Sequence, residues 1–307
     1  MKKIVALSNL VTDIIQNTSD EHIQTLGFTK GLFHIATPEQ SAKLAKEIET
    51  GLKIPGGSAA NVVVGAKMLG AQTGLIGTVG NDSIGQLYHS DIKQREVESY
   101  ITDKEGQSGV CHTFITEDGE RTFVLDFGVS QEFEINETQF ENSQIFHTTA
   151  YELSGANELT KTAIELAKSK NLEISFDLAD PGVVKNFKEN IQQTINGIDI
   201  LFANEEEAKE YTGFSEPEDA LEELARIAKI AIVKLGANGS MIRCGDEIHK
   251  IPVVQLEKLV NTNGAGDAYA AGFLSAYAAG KTLKEAGEQG SSFAARACMS
   301  DGARISE

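Results

Sequence analysis

Residues 198–235, IDILFANEEEAKEYTGFSEPEDALEELARIAKIAIVKL, decide the class of fold. An apolar, β-branched run at 198–203 gives way to helical patterns at 204–211 and 217–228, and a second apolar run follows at 230–235. Continuous apolar runs suit strands buried on both faces, and a helical crossover between two of them makes the strands parallel. The same alternation recurs outward from that unit. Strands are expected at 4–7, 73–79, 144–149 and 172–177, with helices near 58–70, 82–95, 155–170 and 183–196. Residues 267–299 read as two consecutive helices, and Thr282-Leu-Lys-Glu285 supplies a capping box for the second. The expected architecture is α/β, with a mostly parallel central sheet covered by helices on both faces.

One region breaks the rhythm. Residues 109–127, GVCHTFITEDGERTFVLDF, read as a hairpin turning at Asp118-Gly119. That register sets Phe114 opposite Phe123, Val110 opposite Phe127 and His112 opposite Leu125, giving a largely apolar face with Arg121 on the same side. Such a hairpin would serve as a lid over a site or pack as an edge on the body. The chain is expected to form a single domain over 1–307, with lid elements at about 13–37 and 97–128.

Composition narrows the function. The chain has 307 residues with 27 Lys plus Arg against 45 Asp plus Glu, a formal charge of −18. That balance disfavours a nucleic-acid binder, which needs a basic face. Cys111, Cys244 and Cys298 are scattered and form no CxxC pair, so neither a disulfide framework nor a zinc site is expected. No run approaches the roughly 18 apolar residues of a membrane span. Asn9 and Asp13 interrupt the apolar start, which reads as a first strand in a cytoplasmic protein.

Two glycine-rich stretches carry chemistry. In VNTNGAGDAYAAGFL, residues 260–274, a turn runs directly into a helix with Asp267 in its first turn. The amides of Gly264, Ala265, Gly266 and Asp267 would converge with the helix dipole on one anion site that needs no Lys or Arg. Asp267 is then either a favourable helix-start acid or a general base beside that cradle. In PGGSAANVVVGAKMLG, residues 55–70, Gly56 and Gly57 allow close backbone approach and Ser58 is the expected N-cap. Ala59, Val62, Ala66 and Leu69 form an apolar stripe, while Asn61 lies off it in the first turn, where it could hydrogen-bond a polyol.

With GGSAAN at 56–61 and NTNGAGD at 261–267 in that order, the sequence resembles the ribokinase (PfkB) family of carbohydrate and nucleoside kinases. The likeness extends over nearly the whole chain, and the run from Ser8 to Asp13 together with TNGAGDAYAAGFL looks most like the adenosine-kinase branch. The resemblance implies a ribokinase-like three-layer fold with a small β lid, and MgATP-dependent phosphorylation of a primary hydroxyl. It implies Asp267 as catalytic base and Gly264, Ala265 and Gly266 as the anion hole, with Arg121 as a lid arginine. Asp13 and Asn61 would bind sugar hydroxyls, with Gly56, Gly57 and Asn9 around them. Asn204 and Glu207 would position Mg²⁺ through water or phosphate, and Asn204, Lys234, Gly236, Gly239 and Asn263 would line the nucleotide. ATP and Mg²⁺ are the implied cofactors; Asn261, where the family usually has Asp, leaves a monovalent cation open. The implied partners are ATP and a nucleoside or sugar, in a monomer or homodimer. A simple sugar kinase and a catalytically silent nucleoside-binding protein are the alternatives to an adenosine kinase-like enzyme.

Overall fold

The computed structural model describes residues 2–256 and 258–300. A nine-stranded sheet runs in the spatial order Glu247–Ile251, Ser240–Cys244, Ala228–Lys234, Ile198–Asn204, Glu173–Asp177, Ile145–Thr149, Lys3–Leu7, Gln72–Gly80 and Glu98–Lys104. All neighbours pair in parallel except the first two strands, which add on antiparallel. Alternate side chains feed two apolar layers. Ile4, Ala6, Ile200 and Phe202 pack with the helices Ser58–Met68, Ala265–Ala278 and Leu283–Cys298. Val5, Leu7, Leu201 and Ala203 pack on the other face with Asn157–Ser169, Pro181–Ile195 and Glu205–Thr212. The predicted central strands and helices are present, each shifted by a few residues at most, and Thr282 and Glu285 form the expected capping box.

A second, five-stranded sheet runs Phe33–Ile35, Arg121–Asp126, Gly109–Ile115, Val11–Asn17 and Leu52–Pro55. One face buries Phe114 and Val124 beneath Ile23, Leu26, Phe28 and Leu44, carried largely by the helices Asp20–Leu26 and Pro38–Leu44. Three expectations change here. Glu98–Lys104, placed by sequence in the lid range 97–128, pairs instead with Gln72–Gly80 as the edge of the main sheet. Its polar sequence, ESYITDK, fits a strand with one open edge. Leu52–Pro55 joins the second sheet from outside both expected ranges.

The third change is the hairpin register. Phe114 pairs with Thr122, His112 with Val124 and Val110 with Asp126, one residue away from the expected pairing. Gly119 N–H bonds Thr116 carbonyl at 2.8 Å and Gly119 has φ +82°, so the loop has three residues and Gly119 is its left-handed third. A one-residue slip reverses a face. Phe114 and Val110 therefore point into packed cores, while Phe123, Leu125 and Cys111 line the cleft described next.

Candidate active site

A cleft of about 1340 Å³ opens at the C-terminal ends of the parallel strands, walled on one side by the second sheet. In open α/β sheets this edge is where strand ends and helix starts converge. Gly264, at φ +74°, turns the chain into the helix Ala265–Ala278 and places Asp267 in its first turn. The Ala265 amide is already engaged by the Thr262 carbonyl at 3.2 Å, so the expected four-amide cradle reduces to Gly264, Gly266 and Asp267.

Small residues bring the helix Ser58–Met68 against this one. A Cβ on Gly65 would stand 2.8 Å from Ala271 Cβ, so the backbones approach closely. At the near ends of the two helices, Ser58 Oγ donates to Asp267 Oδ1 at 2.7 Å and Asn61 Nδ2 donates to Oδ2 at 2.9 Å. Ser58 is therefore not the N-cap expected from sequence. Gly57 is, at φ +92°, where a side chain would collide with the Asn9 carbonyl. Ser58 is instead the first helical residue, and its hydroxyl is free to hold the acid. Burial pushes the Asp267 carboxyl up to about 6, while the Asn61 and Ser58 donors act in the opposite sense.

Lys234 ends its strand beside this turn. Its ammonium bonds Asp177 Oδ2 at 2.8 Å, and both side chains are almost fully buried. Burial alone would lower the ammonium, but Asp177 and Glu207 overcome it and hold Lys234 up to about 12. Asn204 and Glu207 close a reciprocal capping box: Asn204 Nδ2 donates to Glu207 Oε1 at 2.6 Å, Asn204 N–H to Oε2 at 2.7 Å, and Glu207 N–H to Asn204 Oδ1 at 2.8 Å. Burial pushes the Glu207 carboxyl up to about 7. Among the described residues, no group of three or more carboxylate, imidazole or thiol side chains is placed to hold a metal ion. A donor set of one buried carboxylate and one amide fits a hydrated Mg²⁺ that takes its other ligands from phosphate oxygens.

The remaining expected residues divide. Asp13, Asn61, Asn204, Lys234, Gly236, Gly239 and Asn263 line the cleft. Gly239, at φ +88°, packs against the Ile251 carbonyl, and Asn263 N–H is held by Asn261 Oδ1 at 2.7 Å. Asn261 also donates to the Ser300 carbonyl at 2.7 Å, a bond that Asp could not make. Gly56 lies behind Asp13, its amide on the Val11 carbonyl at 2.8 Å. Asn9 is buried and donates to the Tyr151 carbonyl at 3.2 Å, which ties the first strand's exit to the helix Ala150–Leu153 instead of facing the cleft. Arg121 is exposed and outside the cleft lining. Sequence reasoning missed Asp177, Tyr151 and the Ser58 contact. Asp177 had a signal: it is the polar residue ending an apolar parallel strand.

The sequence model described as pfkB family carbohydrate kinase matches residues 22–307. A nucleoside kinase of Methanocaldococcus jannaschii is 30% identical over 258 residues, covering 81% of this chain and 80% of its own length. An uncharacterized sugar kinase of Archaeoglobus fulgidus is 30% identical over 252 residues, covering 78% and 97%. The crystal structure of adenosine kinase from Sinorhizobium meliloti superposes with a TM-score of 0.87 at 28% identity, over 99% of this chain and 95% of that one.

Proposed function

The chain belongs to the pfkB family of carbohydrate kinases, and on that premise we propose that it transfers the terminal phosphoryl group of ATP to a primary hydroxyl of a nucleoside, with Asp267 as general base. The observation that carries the reading is the Asp267 carboxylate, gripped by Ser58 and Asn61 at the first turn of a helix that opens on a glycine turn. Asp267 accepts the proton of the acceptor hydroxyl as that oxygen attacks the γ-phosphorus, and ADP departs with the bridging oxygen. A carboxyl near 6 is mostly ionised at neutral pH yet basic enough to take the proton. The Gly264 and Gly266 amides and the helix dipole stabilise the transferring group. When bound, Mg²⁺ neutralises phosphate charge, held through water by Glu207 and Asn204.

The acceptor preference rests on the opposite wall. Phe33, Ile35, Phe123 and Leu125 line the cleft from the second sheet, and Phe33 and Ile35 are 59% and 60% exposed. Those side chains suit the flat apolar face of a base, while Asp13 suits sugar hydroxyls. Arg121 shares their strand face and would come over the phosphates if that sheet closed. Asp13 and Asn61 would serve a free sugar as well, which is the second reading.

ADP release from MgATP with adenosine, inosine, ribose, fructose and keto-deoxygluconate tests both. Turnover with a nucleoside well above the free sugars is expected. Turnover with a free sugar alone overturns the nucleoside assignment, and none with any acceptor overturns the kinase reading.

A further inference from the structure

We propose that Lys234 is a catalytic cation of the transfer step and that Asp177 is the residue that positions it, an inference that rests on the kinase reading above. Among the described residues lining the cleft, Asp13, Asp177, Asp180, Glu207 and Asp267 are acidic and Lys234 is the single cation. A triphosphate entering so acidic a cleft needs positive charge at the point where the phosphoryl group moves, and Lys234 is there. A Cβ built on Gly266 would lie 3.2 Å from Lys234 Nζ, so the ammonium sits against the helix start that receives the phosphoryl group. Any side chain at 266 would press on it.

Asp177 fixes that ammonium from behind with both of its oxygens committed. Oδ2 takes the Lys234 ammonium at 2.8 Å and Oδ1 accepts the Ala179 N–H at 3.0 Å. Ala179 stands at φ +63°, a left-handed conformation unusual for a residue with a side chain. The bond to Ala179 braces this strained turn, and the turn in turn keeps the carboxylate from rotating away. The Lys234 ammonium carries three N–H groups, and with one on Asp177 two remain for phosphoryl oxygens. A cation fixed before substrate arrives needs no reorganisation when charge develops. The charged groups around Lys234 are Asp177, Glu207 and Asp267.

The test compares Lys234→Gln, Asp177→Asn and the double variant, each checked for folding by circular dichroism. Lys234→Gln should lower kcat by roughly 10²–10³ with little change in acceptor KM. Asp177→Asn keeps an acceptor for Ala179 and should lower kcat by roughly tenfold or more through misplacement of the ammonium. In the Lys234→Gln background it should add less than about twofold, because Asp177 acts through Lys234. The double-variant cycle separates positioning from scaffolding, and the pH profile reports the ammonium itself. Lys234 lowers the Asp267 carboxyl, so the acid limb moves up in Lys234→Gln. A folded Lys234→Gln enzyme within about threefold of wild type in kcat overturns the proposal, as does an Asp177→Asn change that lowers kcat as much in the Lys234→Gln background as it does alone. If either single variant fails to fold, the neutral double variant decides: wild-type kcat overturns the proposal, and loss of kcat supports it. If the wild-type protein phosphorylates none of the acceptors, the kinase reading falls separately. Calorimetric MgATP binding then decides for Lys234, unchanged affinity in Lys234→Gln overturning its phosphate contact and weakened affinity supporting it.

Discussion

Catalysis should be sensitive to a methyl group placed on Gly65, two turns away from the reacting atoms. A Cβ there meets Ala271 Cβ at 2.8 Å and Phe293 Cε1 at 2.8 Å. Carbon atoms rest at about 3.5–4.0 Å, so the helices Ser58–Met68 and Ala265–Ala278 must separate by roughly 0.7–1.2 Å in Gly65→Ala. The same helices carry the two bonds to Asp267, at 2.7 Å from Ser58 and 2.9 Å from Asn61. Separation of that size takes both beyond about 3.2 Å, where such bonds lose most of their strength. Overpacking should destabilise the protein by about 1–3 kcal/mol, within what a domain of this size tolerates. Misplacing the base by about 1 Å should lower kcat/KM by on the order of 10²-fold. Both lost donors favour the ionised carboxylate, so the acid limb should move upward from its position in the parent enzyme. The assay is kcat/KM over a pH series on protein verified as folded. A folded Gly65→Ala enzyme within about threefold of wild type, with an unmoved acid limb, would refute the idea that this helix contact sets the site.

Two further outcomes are expected. His112 is fully buried in the second sheet with neither ring nitrogen hydrogen-bonded among the described residues, and burial holds its imidazole down to about 4. The unfolded chain takes a proton near 6.5 and the folded chain does not, so wild type loses stability as pH falls from 6.5 towards 4. His112→Leu should flatten that loss by up to about 3 kcal/mol, read from urea midpoints at the two ends of the range; equal slopes would contradict it. Phe123→Ala should raise KM for the nucleoside by roughly tenfold while leaving any free-sugar turnover nearly unchanged, measured by steady-state kinetics. An equal effect on both acceptors would remove the base-stacking role.

The central sheet was legible because its strands are buried on both faces. Runs such as the Ile198–Asn204 and Ala228–Lys234 strands are apolar without alternation, and few other structures suit them. The second sheet was legible in its hairpin but not in its outer strands, which are short: Phe33–Ile35 has three residues, and Leu52–Pro55 has four. The hairpin shows how little separates one register from the next. Asp118-Gly119 marks a turn in either case, and only the placing of Gly119 as second or third loop residue decides which face meets the cleft. The glycine turn and Asp267 were visible as a local pattern. The Asp177–Lys234 pair was not, since 57 residues separate the partners and a third strand lies between theirs in the sheet. Asn9 was misplaced for a related reason: its buried bond to the Tyr151 carbonyl spans 142 residues.

Asp267→Asn is the most direct test of the mechanism. Asparagine keeps the shape and can still accept from Ser58 or Asn61, yet it cannot take a proton from the acceptor hydroxyl. Single-turnover phosphorylation of the preferred acceptor, with MgATP binding measured alongside, should show transfer slowed by about 10²–10⁴ with affinity largely kept. A folded Asp267→Asn protein that transfers phosphoryl groups at more than about a tenth of the wild-type rate would contradict the account.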